Sequence, residues 1–354
     1  MDPAALIPAA DTIPVHWGWF QVLLTLTFLL HLLFMNAMLG GAIIAFVRGF
    51  RSGNGLAVSH EVSTKLPFTV AFAVNAGVAP LLFLQVLHGQ FVYTSSILMA
   101  RWWLSIIALL IIAYYAVYAW RGRFSAGAAM RQMLIGTAAV LLLFISLLFT
   151  ANWTLAVSPE RWVAYFAHPD GSLLDLSQPT LWPRWLHMVC GSLAVAGLAL
   201  AGFASRTSRR GEKSAAGLAR EGLRWFAWAT LAQVVLGSWW LLALRHDVRR
   251  MFMGGSPLAT ALLTLGLALT AAAIIVAFRG RLKSTIGFTL VLMAVMAVMR
   301  EIVRAGYLSP YFRTADLAMR PEISPLVFFL AVLAAGAVAV THMLRLASRA
   351  GKEA

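Results

Sequence analysis

Nine apolar stretches divide this chain, each about 20 residues or longer and so able to cross roughly 30 Å of hydrocarbon as helix. They fall near residues 20–47, 66–88, 98–120, 132–152, 181–203, 223–244, 257–278, 284–302 and 324–346. Inside a bilayer the backbone has no water to bond to, so spans of this length satisfy their N–H and C=O groups internally, as helices. The pattern predicts an all-α fold, a polytopic membrane helix bundle with nine transmembrane helices. The composition agrees: 61% of the 354 residues are hydrophobic, 12% are charged and the mean hydropathy is +0.81, values outside the range of soluble domains. The longest connection, roughly 153–180, reads WTLAVSPERWVAYFAHPDGSLLDLSQPT; its Pro, Asp, Gly and Ser predict irregular structure with a short interfacial helix. Loops of this size hold no soluble domain, so residues 1–354 read as one transmembrane domain.

The net charge of +15 would suit nucleic acid, but its distribution points to topology instead. The segments after the first, third, fifth, seventh and ninth spans hold eighteen of the 28 basic residues, including RTSRRGEKSAAGLAREGLR at 206–224 and RGRLK at 279–283. If the helices alternate, all of these lie on one side. The positive-inside rule then puts the N-terminus outside and the C-terminus in the cytoplasm, and the predicted location is the bacterial inner (cytoplasmic) membrane, multi-pass. The opening MDPAALIPAADTIPVHWGWF has no basic n-region and no small-residue cleavage site, so no removed signal peptide is expected. Its His16, Trp17 and Trp19 read as an interfacial belt.

No Rossmann glycine fingerprint, Walker A loop or HEXXH sequence occurs, which argues against a nucleotide-driven pump or an intramembrane metalloprotease. The single cysteine, Cys190, rules out an internal disulfide, and without C-x-x-C-H there is no c-type haem attachment. Cys190 reads as a packing residue.

What remains for chemistry is histidine, methionine and one carboxylate. His31 in TFLLHLLFMNAMLGG and His187 in LWPRWLHMVCGS lie deep in apolar runs with few polar neighbours in sequence, and an ionisable residue there is a functional hypothesis by default. Haem iron, held in a bundle by inward-facing axial ligands, is the first candidate. His88 closes the second predicted span, where water can satisfy it, and stands as an alternate ligand. His16, His60, His168, His246 and His342 read as solvated or interfacial. No span carries two histidines about four turns apart, so the dihaem arrangement of bc-type cytochromes is absent. RHDVRRMFMGGSPL at 245–258 reaches the depth of His187: Met251 or Met253 could complete an axial pair with it, and Arg249 or Arg250 could neutralise a haem propionate. Glu301, flanked by Arg300 and Arg304, reads either as an ion-paired interfacial glutamate or as a haem ligand or proton-carrying carboxylate.

Taken in order, these residues resemble the haem-bearing subunit I of cytochrome bd oxidases. FQVLLTLTFLLHLLFMNAMLGGAIIAF is similar to that family's opening helix, whose histidine ligates a high-spin haem; the resemblance implies that role for His31. FAVNAGVAPLLFLQVLHGQFVYTSS resembles its second helix, and WLHMVCGSLAVAG its fifth, implying that His187 ligates a low-spin haem b. Arg249-Arg250-Met251 fits the family's Arg-x-Met, implying Met251 as second ligand. Glu301-x-x-Arg304 fits its Glu-x-x-Arg, implying that Glu301 serves a high-spin haem and that Glu301 and Arg304 act at the catalytic end.

Three departures limit what the resemblance implies. WWLSIIALLIIAYYAVYAW lacks the third-helix carboxylates that deliver protons in the family. The large quinol-binding loop is here only RHDVRRMFMGG. Ala305-Gly306-Tyr307 replace the Gln-Pro-Trp that follows the family's arginine. The expectation is a divergent relative carrying low-spin haem b and one or two high-spin haems of b or d type. It would pass electrons from a periplasmic cytochrome or other redox donor drawn to Arg245, Arg249 and Arg250, and would reduce oxygen if a high-spin iron keeps an open position. The alternatives are an electron-transfer-only haem subunit of a larger respiratory complex and a haem-free structural or transport subunit. Expected partners are membrane lipid and a second membrane subunit or homo-oligomer, and no nucleic acid.

Overall fold

A computed structural model describes residues 2–51, 54–167, 169–208 and 214–353. Among these, nine helices are long and apolar enough to cross a membrane: α1 (Trp17–Gly49), α2 (Asn54–Leu98), α3 (Ala100–Gly122), α4 (Ala128–Ala156), α5 (Leu181–Ser208), α6 (Ser214–Ala243), α7 (Pro257–Phe278), α8 (Leu282–Leu308) and α9 (Ile323–Glu353). No strand is present among the described residues; one isolated parallel bridge joins Ile13 to Met319. His168 and the basic residues Arg209, Arg210 and Lys213 lie outside the described residues.

Each helix coincides with one predicted span, and the largest boundary error is in α2. It begins a dozen residues before the predicted start and runs past the predicted end at His88 to Leu98, with a break in helical geometry at His88 (φ −138°, ψ 28°). Pro67 and Pro80 lie inside it. Packing against α1 along its length outweighs the local breakers, as neighbouring helices commonly allow in membranes.

Small residues set how closely the helices approach, since lipid offers no hydrophobic drive for helix association. Gly40 of α1 faces α5 so closely that a Cβ would overlap the Ser192 carbonyl. A core of Leu39, Ala42, Ala45, Val70, Trp120 and Ala138 joins α1 to α4, and a second one of Ala194, Ala201, Phe226, Ala227 and Ala273 joins α5, α6 and α7. At the distal end Arg48 of α1 makes a two-pronged ion pair with Glu221 of α6, Nε–Oε1 2.6 Å and Nη2–Oε2 3.1 Å.

The proximal end, where α1 begins, is roofed by the longest connection. Its 3-10 helix over Pro159–Ala167 buries Trp162, which donates to the Leu155 carbonyl at 2.9 Å. The segment before α1 is tied across this roof: Ile13 N–H donates to Ala318 O, and Arg320 N–H donates to Ile13 O, both at 2.9 Å. α9 follows that tie, and no residue of its apolar window is buried among the described residues.

Candidate functional site

His187 sits on the face of α5 that meets α6, the most extensive helix pairing in the bundle. Its ring lies 5.8 Å from that of Trp240. Gly237 opens the space beside it: a Cβ there would come within 3.2 Å of His187 Cε1. Gln233 Nε2 donates to the His187 carbonyl at 3.4 Å, so the polar neighbour on α6 is used by the backbone and not by the ring. Both ring nitrogens are buried without a hydrogen-bonding partner. A neutral imidazole has one N–H and one lone pair, and leaving both empty costs a desolvation penalty at each.

His31 is arranged differently. Its Nδ1 lies 3.0 Å from the Ala73 carbonyl on α2. A carbonyl only accepts, so Nδ1 carries the hydrogen and Nε2 presents its lone pair, the tautomer that a carbonyl partner imposes on metal-binding histidines. Gly77, one turn further along α2, leaves room for the ring; a Cβ there would come within 2.9 Å of Cε1.

The densest polar cluster surrounds Trp153 of α4. Arg304 and Arg300 of α8 lie 4.4 and 4.6 Å from its ring centroid, and Arg184 of α5 lies 5.5 Å away. Arg300 also sits 4.2 Å from the Phe28 ring of α1, and Arg184 sits 5.9 Å from Trp240. Glu301 answers two of the three: Oε2 accepts from Arg304 Nη1 at 2.6 Å and Oε1 from Arg300 Nη1 at 3.0 Å, while Gln21 Nε2 of α1 adds a third bond at 3.0 Å. Arg304 is only 2% exposed, and its Nε and Nη2 have no partner. Three guanidinium groups against one carboxylate leave an excess of positive charge around a narrow cleft that Trp153, Arg184, Trp240, Arg300 and Arg304 line together. Buried cations are stable only when paired, and Glu301 is the one carboxylate among the described residues that pairs with this cluster.

Comparison with solved structures bears on the whole of this arrangement. The bd oxidase from Geobacillus thermodenitrificans aligns with a TM-score of 0.63 over 97% of this chain and 98% of that one, at 12% sequence identity. The chain has a bd-oxidase-like fold. No family model and no curated protein matches the sequence.

Within this bd-oxidase-like fold, the turn between α6 and α7 separates the two candidate methionines. A short helix, His246–Arg250, leads into a wide turn, Met251–Gly255. Met251 packs inward with Trp240, Val248 and Tyr307, its sulfur 3.4 Å from where a Gly306 Cβ would stand. Met253 is 63% exposed.

The arginines of this turn do not form the free basic surface expected of them. Arg245 grips Asp247 through Nε and Nη2, both at 2.7 Å, donates to the Gly306 carbonyl at 2.9 Å, and lies 5.0 Å from the Tyr307 ring. That hydrogen bond holds the Asp247 carboxyl below its ordinary range and raises Arg245 above its own. Arg249 Nη1 caps the Leu242 carbonyl at 2.9 Å. Of the three, only Arg250 is exposed and without a side-chain partner among the described residues.

His88 also requires correction. It is not solvated at a helix end; it is 5% exposed at the break in α2, with Nδ1 unpartnered and its ring 6.0 Å from Phe312. The chain continues as helix beyond it, and Phe312, from the segment after α8, packs against the ring. Cys190 is half-buried among packed helices. The sequence reading passed over Trp153, Gln21, Phe28 and Arg184. Arg184 had a signal: an arginine three residues before His187 in an apolar run, where a charge marks a site.

Proposed function

We propose that this chain is a haem-carrying electron-transfer protein of a respiratory type in the bacterial inner membrane, with its N-terminus outside. The observation that carries the reading is His187, whose two buried ring nitrogens have no partner among the described residues. Iron coordination is the simplest chemistry that satisfies such a ring. The residues fit the group: His187 and Met251 would hold a low-spin haem b, the inward-packed methionine being favoured over the exposed Met253. His31, with Nε2 free and Nδ1 fixed by the Ala73 carbonyl, would hold a high-spin haem. The buried charge of Arg184, Arg300 and Arg304 would take propionate carboxylates, a role assigned to them in preference to Arg249 and Arg250. Glu301 holds Arg300 and Arg304 in place; to bind iron it would have to release one of its three donors. Haem supplies one-electron chemistry and, where an axial position stays open, binding of a small oxidant such as oxygen.

Around that group the protein excludes water, with Trp240 against His187 and Trp153 against the arginines. Electrons would come from a periplasmic protein donor, because the turn between α6 and α7 leaves little chain for a quinol pocket. A second membrane subunit would complete the assembly. The reading without oxygen chemistry, an electron-transfer-only subunit, is favoured by the third helix, which carries no carboxylate.

A redox difference spectrum of the purified protein tests the proposal. It should show a low-spin b-type signal that His187→Ala removes while the far-UV circular dichroism stays unchanged, and carbon monoxide binding should report the second, open site. Absence of haem from the wild-type protein, or an unchanged spectrum in His187→Ala, would overturn it.

A further inference from the structure

Beside the turn between α6 and α7 lies an open cleft of about 450 Å³, lined by Leu242, His246, Arg249, Arg250 and Met253. Its rim is basic and its wall apolar. Asp247, the acid closest in sequence, is committed through both oxygens to Arg245, so nothing among the described residues neutralises Arg250. The position is unusual: this end of the bundle carries the minority of the chain's basic residues, and positive charge is depleted on the outer side of membrane proteins unless something holds it there.

The wall of the cleft continues along the membrane. Trp228, Leu231, Val235, Trp239 and Leu242 recur every three to four residues on α6 and are all exposed; Val235 is 70% and Leu242 60% exposed. At that spacing they form one stripe on the helix surface, ending at the arginines. A soluble acidic protein would match the charge but not an apolar groove that runs down into the bilayer. A molecule with an anionic phosphate at one end and an acyl chain at the other matches both.

We propose that this cleft is a binding site for an anionic phospholipid: Arg250, Arg249 and His246 receive the headgroup phosphate, and one acyl chain lies on the Val235–Trp239–Leu242 stripe. Arginine donates to phosphate in a planar fork, and the free guanidinium of Arg250 is the principal donor because Arg249 already caps Leu242. The site is independent of haem and stands or falls apart from the proposed function.

Native mass spectrometry of the full chain in detergent tests it, with phosphatidylglycerol, phosphatidylcholine of the same acyl chains, and glycerol 3-phosphate as probes. Phosphatidylglycerol should be retained preferentially, and Arg250→Gln should weaken that preference about fivefold, the worth of one basic residue at a membrane surface. Leu242→Asn should weaken both lipids alike. Arg250→Lys, which keeps the charge, should fall between Gln and wild type. Arg250 has no side-chain partner among the described residues, so its variants should melt with the wild type. Equal retention of the two lipids, or no effect of Arg250→Gln, overturns the proposal. So does glycerol 3-phosphate binding as tightly as the lipid, which would mark a simple phosphate site. If Arg250→Gln spares lipid retention but slows reduction by an acidic redox protein, the cleft is a protein-docking site and the proposal fails.

Discussion

Replacing Trp153 should reveal how far one indole ring supports the arginine cluster. Trp153→Leu keeps an apolar side chain but removes the π face, whereas Trp153→Phe keeps a face. Arg304 and Arg300 stack at 4.4 and 4.6 Å in buried surroundings, and Arg184 stands at 5.5 Å. Desolvated cation–π contacts are worth about 1–2 kcal/mol each and distant ones about half a kcal/mol, so the lost face amounts to about 2–4 kcal/mol. The cavity left by the smaller side chain adds about 1 kcal/mol. Thermal unfolding in detergent, followed by intrinsic fluorescence, should place Trp153→Leu several degrees below the wild type, with Trp153→Phe recovering more than half of the difference. Under the proposed function, the haem of Trp153→Leu should also shift in midpoint potential, because the arginines set its electrostatic surroundings. Identical melting of the Leu and Phe variants would refute the argument by showing that volume, not the ring face, supports the cluster.

Met251→Leu should convert the low-spin haem signal toward high spin, while Met253→Leu should leave it unchanged; the reverse would exchange their roles. Gly40→Val should block the approach of α1 to α5 and abolish accumulation of folded protein, read by size-exclusion chromatography. Glu221→Gln leaves Arg48 unpaired in a half-buried setting and should cost about 2 kcal/mol, less than the 3–5 kcal/mol of a fully buried pair, read by the same thermal assay. The Arg245–Asp247 pair should also be acid-sensitive. Asp247 is held below its ordinary value of 3.8, so its contribution is complete above that value and is lost as pH falls through the lower, folded one. Protection of the amides in the turn between α6 and α7, corrected for intrinsic exchange rates, should therefore fall as pH drops below about 4, and Asp247→Asn should be less protected with no such pH step.

Hydropathy located every long helix because each span carries its own signal, and it misplaced the ends of α2 because that signal stops where the bilayer does. Residues 89–98 are helical owing to their burial against the roof of the bundle, a tertiary cause with no local mark. Burial of His88 has the same origin: Phe312, which covers it, comes from beyond α8. The candidate ligands stood out as isolated polar groups in apolar runs. The arginine cluster did not, because Trp153, Arg184 and Arg304 belong to three helices and each alone reads as an interfacial residue. Arg245 was misread for a related reason. Its partner Asp247 is two residues away in a turn, where spacing alone does not show that one side chain will fold back on the other.

The bridge between Ile13 and Met319 has a consequence for how the molecule is made. The segment before α1 is synthesised well before its partner, which lies just beyond α8, so the bridge cannot close until α8 has been made. Contacts spanning nearly the whole chain form late, and chains synthesised from the N-terminus settle in order of emergence. Closure of the bridge therefore marks a late step of assembly, and a chain interrupted within α8 would leave the residues around Ile13 open to a protease.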